Sequence, residues 1–228
     1  MKRKISMILA VMLCTALCFS ASAYEMQMIV RERDLHDLFT AETFCLPDDL
    51  PFGTGLEEAI EWLPLSETMR PGEEAFDARK YTELPDNGFY TLRPFLCYSF
   101  PETEGLELVM EFDSEKKFYG FWLVSEQYPV EQFGEEEKTA VPQLLLALSE
   151  VFEERSEPIL LAGPEKLKDL EWSYFENGGE LRAVFMAKDF TFCQLCANVY
   201  DGYFSFRIGI GDGYTWPGFM ETLTEYFA

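Results

Sequence analysis

The chain has 228 residues, 48% of them hydrophobic and 16% aromatic, with 41 Asp and Glu against 18 Lys and Arg for a net charge of −23. That apolar content argues against intrinsic disorder. The negative field disfavours nucleic acid and anionic membrane surfaces, which would be repelled before any specific contact formed.

Lys2, Arg3 and Lys4 precede an uncharged, largely apolar stretch from Ile5 to Phe19, and Ala21-Ser22-Ala23 fits a small-x-small cleavage site. Residues 1–23 therefore read as a signal peptide, with a secreted or periplasmic chain starting at Tyr24. The apolar stretch is about 15 residues, short of the roughly 20 that span a bilayer as a helix. Cleavage would leave 205 residues at a net charge of −26, because it removes three bases and no acid. In an oxidising compartment the remaining Cys45, Cys97, Cys193 and Cys196 become disulfide candidates with three pairings open. Cys45–Cys97 with Cys193–Cys196 is the simplest pairing. Cys193 and Cys196 lie three apart in strand-like sequence and so point to opposite faces, which favours links to Cys45 and Cys97 instead.

Tyr24–Val30 alternates as a strand with Met26, Met28 and Val30 on one face, and Glu32–Phe39 suits a short helix bearing Leu35, Leu38 and Phe39. Thr54-Gly-Leu-Glu57 matches a capping box for a short helix carrying Ile60, Trp62 and Leu63. Residues 66–87 are polar and proline-broken, a long loop. Phe89–Phe100 is strand-like with Pro94 at an edge or bulge. Leu106–Phe112 and Phe118–Val124 read as a hairpin turned at Asp113–Lys116. The clearest helix covers Val141–Glu154: Leu144, Leu145, Leu148, Val151 and Phe152 share one face, and Pro142 falls in the first turn. Glu171–Phe175 and Leu181–Ala187 read as a second hairpin about Asn177-Gly-Gly179. Phe190–Tyr200 and Tyr203–Ile210 join at the two-residue turn Asp201-Gly202. In that last strand Phe204, Phe206, Ile208 and Ile210 share one face, and Tyr203, Ser205 and Arg207 the other. Pro217 opens a final helix with Phe219, Met220, Leu223 and Phe227 inward.

The pattern predicts an α+β fold, an antiparallel sheet of meander hairpins with a few packed helices, as one domain over 24–228. Two similar halves, 24–154 and 155–228, are an alternative organisation.

Motifs for chemistry are sparse. His36 is the sole histidine, suited to a surface position; no nucleophile elbow, phosphate loop, dinucleotide fingerprint or zinc signature occurs. No catalytic residue and no metal ligand is assigned. Calcium is the one cofactor the acids could hold, through Asp201, Asp212 and the run at 135–137, although no EF-hand spacing is present. Exposed aromatics in loops are the stronger signal, and Tyr203, Tyr214 and Trp216 beside the last hairpin are the binding candidates. The expected function is non-catalytic binding of a protein or carbohydrate partner. The alternative is an extracytoplasmic hydrolase using two carboxylates drawn from strand acids such as Glu107, Glu111, Glu171 and Glu180.

Overall fold

Strands whose apolar residues alternate bury one face and need a cover, and here the cover is helical. The computed structural model describes residues 29–47, 50–63, 79–83, 88–94, 96–103 and 105–227. The expected signal peptide at 1–23, and the strand expected over 24–28, lie outside the described residues.

Among the described residues the strands are β1 (Ile29–Glu32), β2 (Arg79–Glu83), β3 (Tyr90–Pro94), β4 (Leu96–Ser99), β5 (Leu106–Phe112), β6 (Phe118–Val124), β7 (Tyr128–Pro129), β8 (Ile159–Ala162), β9 (Leu181–Met186), β10 (Thr191–Tyr200) and β11 (Tyr203–Asp212). They form one mixed, mostly antiparallel sheet, and the fold is a sheet-dominated α+β architecture. The main path runs β1-β4-β5-β6-β11-β10-β9-β8. It is not an uninterrupted meander: β6 is followed in space by β11, and β1 runs parallel to β4. The sheet thus joins strands from the first and last parts of the chain.

Among the described residues four α-helices accompany it: α1 (Leu56–Trp62), α2 (Glu135–Glu153), α3 (Trp172–Glu176) and α4 (Phe219–Phe227). Helix α2 lays Val141, Leu144, Leu145, Leu148 and Phe152 on the inner face, against a core that includes Met110, Phe121, Phe185, Leu195, Ile208 and Ile210. Each such side chain contributes about 1.5–3 kcal/mol by leaving water. Helix α4 covers one end of the opposite, outer face, where Phe219 stacks on Phe192 at 3.8 Å and packs with Val184 and Leu223.

Several sequence expectations are corrected. Residues 172–176 are helical, because Trp172 and Phe175 form a buried i, i+3 stripe; Gly178, at φ 79°, then ends the helix where a hairpin turn was expected. Helix α2 begins at Glu135, capped at Gly134, whose N–H donates to the Glu137 carboxylate at 2.8 Å. Acids in that first turn favour the helix dipole, and the earlier start puts Pro142 inside the helix. Helix α1 is N-capped by Gly55; the Thr54 hydroxyl instead donates to the Pro51 carbonyl at 2.7 Å. Within the expected loop 66–87, residues 79–83 form β2, paired with β3. Val30 is 59% exposed, and on α4 Met220 and Phe227 face solvent while Phe219 and Leu223 are buried.

The disulfide expectation is overturned: all four cysteines remain thiols. Cys193 lies in the inner core and Cys196 on the outer face of the same strand. Cys97 and Cys196 occupy one cross-strand row through Glu107, Val124 and Arg207. Four strand spacings separate them, about 19 Å, whereas a disulfide spans at most about 7 Å between Cα atoms.

Candidate functional site

The long β10–β11 pair builds a chemically varied surface. Its register runs from Thr191↔Asp212 to Tyr200↔Tyr203. Strand alternation sends Cys193, Leu195, Ala197, Phe206 and Ile208 inward beneath α2. The outer face then carries Tyr200 with Tyr203, Asn198 with Ser205, Cys196 with Arg207, and Gln194 with Gly209. At the tip, Asp201 (φ 50°) and Gly202 (φ 80°) take the left-handed conformations that a tight two-residue hairpin turn requires.

Neighbouring strands complete this face. Trp122 of β6 lies opposite Gly209, and its six-membered ring fills the space a side chain at 209 would occupy. The Arg207 guanidinium sits over the same indole, 4.4 Å from the ring centroid. On β9, Arg182 donates from Nε to Gln194 Oε1 at 3.2 Å, so both guanidiniums are held in place. Burial pushes the Cys196 thiol up to about 11, with Arg207 and Arg182 pulling the other way.

Towards the opposite end, the Tyr119 hydroxyl donates to Glu111 Oε2 at 3.0 Å. Burial raises the Glu111 carboxyl above its usual range, opposed by hydrogen bonds from Tyr119 and Trp122 and by the charge of Arg207. The Tyr119 phenol is raised as well, by burial first and then by the Glu111 charge.

The three predicted binding residues do not form one patch. Tyr203 is at the hairpin tip, 44% exposed, beside the more exposed Tyr200. Tyr214 is exposed at the far end of β11, its ring 4.8 Å from that of Phe190. The extended strand from Tyr203 to Asp212 separates the two ends by about 30 Å. Trp216 is a packing residue, with ring centroids 5.4 Å from Tyr119, 5.3 Å from Trp122 and 5.1 Å from Phe192. Alternation had placed Tyr203, Ser205 and Arg207 together; Asn198, Tyr200 and Trp122 join them only through strand pairing.

The carboxylate candidates are dispersed. Glu107 and Glu111 share a face of β5 four residues apart, about 13 Å by strand rise, beyond the roughly 5–9.5 Å that paired glycosidase carboxylates use. Glu171 is the N-cap residue of α3 and Glu180 is exposed ahead of β9. Asp201 and Asp212 lie at opposite ends of β11, and residues 135–137 begin α2. Among the described residues no group of three His, Cys, Asp or Glu side chains is placed to hold a metal ion. No described helix is long and apolar enough to cross a membrane.

Clefts elsewhere among the described residues are of a different kind. One, of about 590 Å³, is lined by Glu32, Arg33, Asp34, Asp37, Ser99 and Phe100. Beside it His36, half-exposed, approaches Asp34 Oδ1 through Nδ1 at 2.6 Å and Glu154 Oε2 through Nε2 at 3.4 Å. Another, about 440 Å³ between α2 and α3, is bridged by Lys138 and Glu176 at 2.8 Å. No protein-family model, curated protein or solved structure matches the chain.

Proposed function

We propose that the chain is a non-catalytic binding protein, working outside the cytoplasm, whose outer sheet face captures a neutral glycan. The observation that carries this reading is the open strip of Tyr200 and Tyr203, Asn198 and Ser205, and Arg207 stacked on Trp122. Aromatic rings offer the apolar faces that sugar C–H groups pack against, while amide, hydroxyl and guanidinium groups match sugar hydroxyls as donors and acceptors. Among the described residues neither Arg182 nor Arg207 is held in an ion pair, so both guanidiniums keep donors for a ligand. The acidic chain favours an uncharged glycan over an anionic one. The wide spacing of Glu107 and Glu111 favours binding over hydrolysis by a carboxylate pair.

Affinity electrophoresis of the full chain through gels containing neutral polysaccharides tests the proposal. At least one polysaccharide should retard the protein, the double variant Tyr200→Ala, Tyr203→Ala should migrate freely, and no reducing ends should be released. Release of reducing ends that Glu111→Gln abolishes would establish the hydrolase instead. Free migration through every gel would reject glycan binding.

A further inference from the structure

Exposed apolar surface is concentrated at one place that the glycan reading does not use. Seven large hydrophobic side chains are exposed among the described residues, and four of them, Tyr214, Met220, Tyr226 and Phe227, fall within residues 214–227. The cause is the width of the apolar stripe on α4. Phe219 and Leu223 bury against the sheet, whereas Met220 (43% exposed), Tyr226 (47%) and Phe227 (70%) do not. Each leaves in water apolar area that contact with a partner would remove.

This stripe adjoins the last strand of the sheet. Strand β8 reads Ile-Leu-Leu-Ala without a charge, and among the described residues it pairs only with β9. Its Ile159 and Leu161 pack half-buried against the small cluster of Val184, Phe192, Phe219 and Leu223 that anchors α4. Helix and edge strand therefore meet at one apolar cluster. Exposed apolar side chains gathered around such a shared cluster mark an interaction site.

Charge selects the partner. From Ile208 to Phe227 the chain carries Asp212, Glu221 and Glu225 and no Lys or Arg. A second copy would bring the same acids to the same surface, from a chain already at −23. We propose that α4 and the β8 edge form a docking surface for a basic amphipathic segment of a partner protein. Its apolar side chains cover Met220, Tyr226 and Phe227, and its Lys or Arg residues meet Glu221 and Glu225. The arrangement is that of an amphipathic segment laid on an exposed apolar surface.

The test uses fluorescence anisotropy of the full chain with three labelled peptides: an amphipathic Lys/Leu helix, the same composition scrambled to remove amphipathicity, and a Glu/Leu counterpart. The amphipathic Lys/Leu peptide should bind at least about tenfold more tightly than the other two, and less tightly as salt rises. The double variants Met220→Ser, Phe227→Ser and Glu221→Lys, Glu225→Lys should each weaken it by about tenfold. Both alter exposed positions, and an unchanged urea midpoint would show that the fold is kept. Equal binding of the scrambled peptide, or full binding by either variant, would overturn the proposal. So would a wild-type dimer in sedimentation that Met220→Ser, Phe227→Ser converts to monomer, since a second copy would then own the surface. Capture of the wild-type chain by phosphatidylcholine vesicles, lost in the same variant, would assign the surface to lipid instead.

Discussion

The six-membered ring of Trp216 occupies the space in which a side chain at Gly211 would stand. The same ring covers Gly120, the residue paired with Gly211 across β6 and β11. Two glycines on adjacent strands thus make a bare floor for one indole, and Gly209 does the same for Trp122. Gly211→Ala should displace Trp216 and cost about 1–3 kcal/mol, the range for overpacking a well-filled site. Neither Gly211 nor Gly120 has a positive φ, so backbone strain adds nothing. Urea denaturation followed by tryptophan fluorescence measures both the loss and the altered indole environment. A change of only a few tenths of a kcal/mol would mean that the indole is not seated on this floor.

Glu111 gives a pH signature of its own. Its folded pKa is raised, mainly by burial, so the folded state favours the protonated acid. The stability it contributes is present below the unfolded value of 4.5 and is lost as pH rises through the folded value. Glu111→Gln keeps an acceptor for the Tyr119 hydroxyl without a charge to bury. Its stability relative to the wild type should therefore increase from acid to neutral pH. Thermal melts of both proteins across that range provide the comparison.

His36 works at higher pH. Hydrogen bonding to Asp34, then to Glu154, raises its pKa above 6.5. Its contribution is whole below that value and disappears as pH rises through the folded one. The Asp34 carboxyl, lowered by the His36 backbone and ring hydrogen bonds, loses its share as pH falls through its own folded value. The pair is strongest in mildly acidic solution. His36→Gln should destabilise by no more than about 1 kcal/mol there, the scale of exposed ion pairs, and by less in alkaline buffer. Equilibrium unfolding at two pH values checks the difference.

Thiol labelling reports the cysteine environments. Cys45 is half-buried and Cys97, Cys193 and Cys196 are buried. Burial pushes the Cys97 thiol up to about 11, raises Cys193 well above its ordinary value, and likewise holds Cys196 mostly protonated. A thiolate-specific reagent should modify Cys45 first in the native protein and reach the other three only on unfolding. Mass spectrometry of the labelled peptides identifies the order.

The reach of local pattern shows most clearly in paired successes and failures. Leu144, Leu145, Leu148 and Phe152 announced the inner stripe of α2, because 3.6-residue periodicity is a property of neighbouring residues. Trp172 and Phe175 suit a strand as well as a helix in the sequence, because five residues are too few to separate a period of two from one of 3.6. Asn177-Gly-Gly179 suited either reading, since glycine both turns hairpins and ends helices. In the candidate site, Tyr203, Ser205 and Arg207 were legible as one face. The seating of Trp216 against Tyr119, Trp122 and Phe192 was not, because it depends on β6 and β10 flanking β11.

By itself, the sequence determined the acid excess, the inward apolar sets of β10 and β11, the turn at Asp201-Gly202 and the long helix that covers them. Each follows from composition or from side chains a few residues apart. Only the tertiary structure decided that β6 lies against β11, that Trp122 rests on Gly209 and Trp216 on Gly120, that Glu111 is half-buried, and that α4 leaves half its apolar stripe in solvent. Those outcomes depend on strand register and on which surfaces meet, and a residue's own neighbours carry no record of either.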